Sequence, residues 1–206
     1  MIAVLDYGIG NLRSAEKALV HLGADARLVT ERSGAKGASG VVLPGVGAFG
    51  ACATALRSSG LDAVVFDALE ARTPVLGVCV GFQMLFDGSD ESPGVPGLGV
   101  LEGALRLLPA TVKRPQMQWN TVERVPGRPS QMLAPFSEPA WFYFVHSYAA
   151  HPAEQAAEAV VATCDYGGPV VAAVERGALW GTQFHPEKSG RAGLELLATF
   201  VAACAC

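Results

Sequence analysis

A thiol and an imidazole frame the chemistry open to this sequence. Cys79 stands in Gly77-Val78-Cys79-Val80-Gly81, after the apolar run Pro74-Val75-Leu76 and before Phe82-Gln83-Met84-Leu85-Phe86. That order reads as strand, sharp turn and helix, with the cysteine at the apex. A nucleophile on such a turn has a strained backbone, and the residues two before and two after must be small for strand and helix to approach each other. Gly77 and Gly81 occupy those places. The helix-like stretch that follows aims its free N–H groups at the sulfur. A free cysteine without a base is more often a small apolar core residue, so the reading depends on a partner elsewhere in the chain.

That partner is in Gln183-Phe184-His185-Pro186-Glu187-Lys188. His185 follows a strand expected over Leu179 to Phe184, and a bend at Pro186 lets Glu187 return to the far nitrogen of the imidazole. The expected arrangement is Cys79 as nucleophile, His185 as base and then acid, and Glu187 fixing the tautomer. A histidine beside an acid is usually a solvated loop pair. Together with a Gly-x-Cys-x-Gly turn it becomes a catalytic constellation.

The elements that must position these groups read as an α/β domain, expected to be one unit over residues 1–206. Half of the residues are hydrophobic, mean hydropathy is +0.32, and net charge is -4 with a pI near 5.5. The Lys and Arg residues are scattered, which excludes nucleic-acid and anionic-membrane partners. No apolar run approaches the roughly 20 residues needed to span a bilayer. No charged leader precedes the first strand, and a cytoplasmic location is expected. The five cysteines form neither CxxC pairs nor a His/Cys cluster, so no disulfide framework, metal or cofactor is expected. Cys204 and Cys206 read as a frayed terminus.

Met1 to Leu5 predicts a buried strand, and a helix from about Asn11 places Leu12, Ala15, Leu19 and Leu22 on one face. Short strands at Ala26 to Val29 and Gly40 to Leu43, a helix through Leu56, a helix at Asp62 to Ala71 and the strand Val75 to Val78 continue the alternation. Together they predict a mainly parallel sheet covered on both faces. Beyond a loop at Ser89 to Gly99, shorter strands are expected at Ala104 to Pro109, Thr121 to Arg124, Trp141 to Val145, Ala159 to Thr163, Val170 to Val174 and Leu179 to Thr182, as an antiparallel extension. A last helix, Ser189 to about Ala203, presents Leu194, Leu197, Phe200 and Val201 to the core.

Gly45, Gly47 and Gly50 match the dinucleotide fingerprint G-x-G-x-x-G, with Asp67 or Glu70 as the distal acid. The match follows the third strand rather than the first, and those acids fall within a helix. An oxyanion site fits Cys79 better: glycine-rich backbone at Val46 or Gly47 supplies one N–H and Val80 the other.

In order and spacing, these segments resemble the class I (triad) glutamine amidotransferases. Within them they are most similar to the glutaminase subunits of imidazole glycerol phosphate synthase, with a flavodoxin-like fold. The likeness runs through Asp6-Tyr7-Gly8-Ile9-Gly10-Asn11, Leu43-Pro44-Gly45-Val46-Gly47-Ala48-Phe49, the Cys79 turn with Gln83, Gln118-Trp119-Asn120, Tyr143-Phe144-Val145-His146-Ser147-Tyr148 and Gln183 to Ser189. It implies glutamine hydrolysis through a Cys79 thioester, with Gly47, Gln83, His146, Ser147 and Tyr148 as substrate contacts. It also implies a (β/α)8 cyclase as partner, which receives the ammonia, and Asn11, Trp119 and Lys188 at or near the interface. On residue type alone these three read equally well as a helix cap, a core aromatic and a solvated lysine. The chain departs from the pattern at Gln116 and Gln118, where His and Gly are usual, and at Val80 and Phe82, where Leu and Met are frequent. Alternatives are the glutaminase of anthranilate or aminodeoxychorismate synthase, a noncatalytic subunit that keeps the fold, and a cysteine peptidase. Lys188 and the opening Asp-Tyr-Gly-x-Gly-Asn disfavour the first. A glutamine-sized pocket disfavours the last.

Overall fold

The computed structural model describes residues 1–205. Twelve strands are described: β1 Ile2–Leu5, β2 Ala26–Val29, β3 Gly40–Gly45, β4 Val75–Cys79, β5 Phe86–Ser89, β6 Leu101–Leu107, β7 Gln116–Arg124, β8 Ala140–His146, β9 Tyr148–Pro152, β10 Val160–Asp165, β11 Pro169–Arg176 and β12 Leu179–Thr182. The helices are α1 Leu12–His21, α2 Phe49–Ser58, α3 Asp62–Glu70, α4 Val80–Gln83, α5 Glu154–Ala157 and α6 Gly190–Ala203. No helix among the described residues is long and apolar enough to cross a membrane.

Nine strands form one sheet in the order β2-β1-β3-β4-β12-β11-β10-β7-β8. The run from β2 to β12 is parallel, and from β12 onward each neighbour is antiparallel. β1, β3, β4 and β12 are buried along their whole length, as continuous apolar strands covered on both faces must be. The expected strand near Ala104 is not part of this extension. It is β6, in a separate sheet ordered β5-β6-β9.

Register sets the site. β4 lies between β3 and β12, with Gly45 opposite Cys79 on one side and Thr182 opposite Val78 on the other. The glycine-rich loop, the cysteine and the segment leading to His185 therefore emerge side by side at the carboxyl edge, where ligands of open α/β sheets bind.

The turn at Cys79 is tighter than the sequence predicts. Cys79 has φ 54° and ψ -111°, a region a non-glycine residue rarely enters, and α4 is a single turn that gives way to β5 at Phe86. The expected helix over 82–86 is thus mostly absent, because Leu85 and Phe86 enter the core, where the Leu85 carbonyl accepts from Val100 and Leu101 N–H. Glycine is required at both flanks. A Cβ on Gly77 would lie 2.9 Å from the Phe82 Cα, and one on Gly81 would collide with the Leu43 carbonyl oxygen.

Two further expectations change. The buried face of α6 is Gly193, Leu196, Leu197 and Phe200, whereas Leu194 and Val201 are only half-buried. Cys204 is not frayed: it is buried against Gly40 at the start of β3, and burial pushes its thiol up to about 12. Cys206 lies outside the described residues.

The collision at Gly81 is with backbone, which cannot step aside. Gly81→Ala is expected to cost about 2–3 kcal/mol in urea unfolding, whereas Gly88→Ala, whose Cβ would meet only the Val95 carbonyl at 3.7 Å, should stay within about 0.5 kcal/mol of the parent. Equal costs would show that the turn is not close-packed.

Candidate active site

The His185 loop is held from three directions. The His185 N–H donates to the Tyr143 carbonyl of β8 at 3.0 Å, and the Ser189 hydroxyl donates to the His185 carbonyl at 2.6 Å. That same hydroxyl accepts the Tyr143 N–H at 3.0 Å. Phe184 is stacked on Phe142 with centroids 4.1 Å apart, anchoring the loop in the core. A 3-10 turn over Pro186–Lys188 then brings Glu187 back, so that His185 Nδ1 lies 2.8 Å from Glu187 Oε1. Both side chains are almost fully buried.

With Nδ1 committed to Glu187, the imidazole has only Nε2 left for Cys79. Nε2 is buried and makes no hydrogen bond. Burial alone would lower the His185 pKa, but the Cys79 sulfur and the Glu187 carboxylate outweigh it and raise it to about 9. His185 therefore holds a proton through neutral pH. His146 is the contrasting case. Burial lowers its pKa to about 4, only partly offset by its bond to the Tyr148 carbonyl. That carbonyl can only accept, so Nδ1 donates to it at 2.9 Å and Nε2 stays an unprotonated, unpartnered acceptor.

These groups open on a cavity of about 420 Å³. Cys79 and His185 line it, with the expected oxyanion residues Val46, Gly47 and Val80 and the expected substrate contacts Gln83, His146, Ser147 and Tyr148. Asn11 and Lys188, expected at the partner interface, stand on its wall. Asn11 sits at the start of α1 without a side-chain cap bond, and its oxygen instead accepts the Ser14 hydroxyl at 2.9 Å. Trp119 is neither in the cavity nor in the core: it is 47% exposed on the outer face of β7. A larger hollow, about 550 Å³, lies at the opposite end of β3 and β4 around Ser33, Lys36 and Asp67. It is lined by no cysteine or histidine, and its Arg32 and Asp67 are paired with each other.

Two site residues were not singled out in the sequence. Glu91 lines the cavity and caps α2, its Oε2 accepting the Phe49 N–H at 2.7 Å, while Ser92 accepts the Gly50 N–H at 3.1 Å. This capping also disposes of the dinucleotide reading, since the helix N-terminus that would hold a pyrophosphate is taken by a carboxylate. Gln183 is fully buried, bonded to Gln83, with its amide nitrogen 3.8 Å from the Cys79 sulfur. A polar residue in an apolar strand end, Gly181-Thr182-Gln183-Phe184, was the only available signal.

A histidine whose folded pKa lies above its ordinary value adds stability that is complete below about pH 6.5 and is lost as pH rises through about 9. Glu187→Gln removes one of the two groups responsible. Its cost in chemical unfolding is expected to be about 2 kcal/mol near pH 6 and to shrink steadily toward pH 10. A cost independent of pH would mean that the pair is not charged.

Comparisons with known proteins identify the family. Residues 3–204 match the family described as Glutamine amidotransferase class-I. Proteins named imidazole glycerol phosphate synthase subunit HisH are 44% identical over 199 residues in Moorella thermoacetica, covering 97% of this chain and 93% of that one. In Mycobacterium tuberculosis the identity is 45% over 201 residues, covering 97% and 96%. Among solved structures, one described as a glutamine amidotransferase superposes with TM-score 0.75 at 22% identity, covering 100% of this chain and 99% of that one. PurLQS from Thermotoga maritima gives TM-score 0.76 at 19% identity, covering 98% and 96%. The chain belongs to the class-I glutamine amidotransferases.

Proposed function

We propose that this chain is the glutaminase subunit of imidazole glycerol phosphate synthase, hydrolysing glutamine to glutamate and ammonia for histidine biosynthesis in the cytoplasm. The observation that carries the chemistry is that Cys79 and His185 line one cavity, with Nδ1 of the imidazole fixed by Glu187 and Nε2 left unpartnered. Cys79 attacks the side-chain amide carbon of glutamine, and the thiol proton is held on His185. The tetrahedral oxyanion is received by the Val80 N–H and one from Val46 or Gly47. Collapse expels ammonia, protonated by His185, and leaves a glutamyl thioester. Water, deprotonated by His185, then releases glutamate.

The cavity supports a free amino acid as substrate. Gln83 donates both of its amide hydrogens to protein, to the Tyr148 carbonyl and to Gln183 Oε1, each at 3.0 Å. It therefore offers only an oxygen. That oxygen and the Glu91 carboxylate are acceptors suited to the α-ammonium group of glutamine.

A partner is supported by the outer face of β7 and β8. Cross-strand pairing places Met117 beside Val145, Trp119 beside Tyr143 and Thr121 beside Trp141. Met117, Trp119 and Trp141 are 62%, 47% and 57% exposed, an apolar surface that water does not favour. We assign it to the (β/α)8 cyclase subunit, which uses the ammonia to form imidazole glycerol phosphate and AICAR. Asn11 and Lys188 on the cavity wall then line the exit between the subunits.

Glutamine-protectable labelling of Cys79 by a diazo-ketone analogue of glutamine is expected, and its absence would favour a noncatalytic subunit. The isolated chain should hydrolyse glutamine slowly, because Gly47, at φ 92° and without steric hindrance, permits the oxyanion peptide to rest turned away until the cyclase docks. Rapid turnover unaffected by the cyclase would sink that part of the reading. Trp119→Ala and Trp141→Ala should each weaken cyclase binding by about tenfold or more and lower synthesis from glutamine, while synthesis from free ammonium stays intact.

A further inference from the structure

The Cys79 sulfur has a polar neighbour that the reaction scheme leaves unused. Gln183 is buried completely, and its Nε2 lies 3.8 Å from Cys79 Sγ, within reach of an N–H to sulfur bond. What fixes the direction of that amide can be read outward from a group that cannot change role. The Tyr148 carbonyl only accepts, so the Gln83 atom bonded to it at 3.0 Å is the amide nitrogen. That same nitrogen contacts Gln183, so the Gln183 atom facing it at 3.0 Å is the oxygen. Gln183 is thereby compelled to turn its N–H toward the sulfur. The order is carbonyl, amide, amide, sulfur, each step setting the next.

We infer that Gln183 is a donor to the nucleophile, locked by Gln83 so that the cavity residue facing substrate and the charge on the Cys79 sulfur are connected through one hydrogen-bonded chain. A donated N–H favours sulfur in its anionic form. The effect acts twice in the cycle. It raises the population of attacking thiolate, and it stabilises the sulfur when the second tetrahedral intermediate breaks its C–S bond and the electron pair returns to Cys79. Gln83 adds the link to substrate. An α-ammonium group bound at the Gln83 oxygen restrains the amide from rotating, which in turn restrains Gln183.

The inference rests on Cys79 being the nucleophile, and the test separates the two. The rate of Cys79 alkylation by iodoacetamide is followed, without glutamine present, from pH 5 to 10 in the wild-type chain, in Gln183→Met, which keeps the length of the side chain and removes donor and acceptor, and in Gln83→Met, which removes the lock together with the oxygen offered to substrate. Thermal unfolding is measured alongside. The alkylation midpoint of Gln183→Met is expected to move upward by about half a unit to one unit, and that of Gln83→Met to move the same way by less. For Gln183→Met, kcat should fall more than KM rises. For Gln83→Met the KM for glutamine should rise as well.

An unshifted midpoint in a folded Gln183→Met overturns the proposal and leaves Gln183 as a packing residue, whatever its thermal stability. If Gln183→Met does not fold, Gln83→Met decides: an upward midpoint supports the lock, and an unchanged one refutes it. A wild-type Cys79 that resists labelling altogether refutes the nucleophile assignment itself, and the role of Gln183 falls with it.

Discussion

The structure depends on one costly backbone geometry. Cys79 is held at φ 54° and ψ -111°, which for a residue with a side chain costs on the order of 1–3 kcal/mol. Such a conformation persists only where the surroundings over-determine it. Here β4 is paired on both sides, and Gly81 sits against the Leu43 carbonyl. Gly45 lies where a Cβ would come within 2.6 Å of the Gly81 nitrogen. The residue so held lines the same cavity as His185. The missing side chains at Gly45, Gly77 and Gly81 are thus as much a part of the site as the reactive ones.

Two buried histidines show how environment divides proton chemistry. Both lose solvation on burial, which opposes the charged form. His185 has a carboxylate on one nitrogen and the sulfur before the other, and its pKa rises to about 9. His146 has only a carbonyl, and falls to about 4. One is built to hold a proton and the other to remain neutral, so only His185 can carry a proton between sulfur and leaving group.

What was legible in the sequence is what depends on local pattern. The apolar strands, the glycines flanking Cys79 and the compact His-Pro-Glu turn each fix their geometry within a few residues. The second sheet was not legible, since β5 and β9 are short and irregular in pattern and gain their identity only by pairing with β6. The pairing of Gln183 was not legible for the same reason: its partner Gln83 is 100 residues distant, and the two meet only through the β4–β12 register. In α6 the apolar residues are so dense that the sequence could not decide which stripe faces inward. Packing chose Leu196 over Leu194, with Gly193 set against the Pro186 carbonyl.

β8 joins the site to the outer surface through the period of a strand. Phe142, Phe144 and His146 point inward and are buried, while Trp141, Tyr143 and Val145 alternate with them on the outer face. The backbone of those outward residues serves the site directly: the Tyr143 carbonyl holds the His185 N–H, and the Val145 carbonyl lies 3.9 Å from the Cys79 sulfur. A partner seated on those side chains, as proposed, would touch the strand whose peptide groups meet the imidazole and the thiol. The strand that would carry the proposed partner is thus the strand whose backbone meets the reactive groups. A strand with one face in the core and the other in water is the simplest element that can serve both.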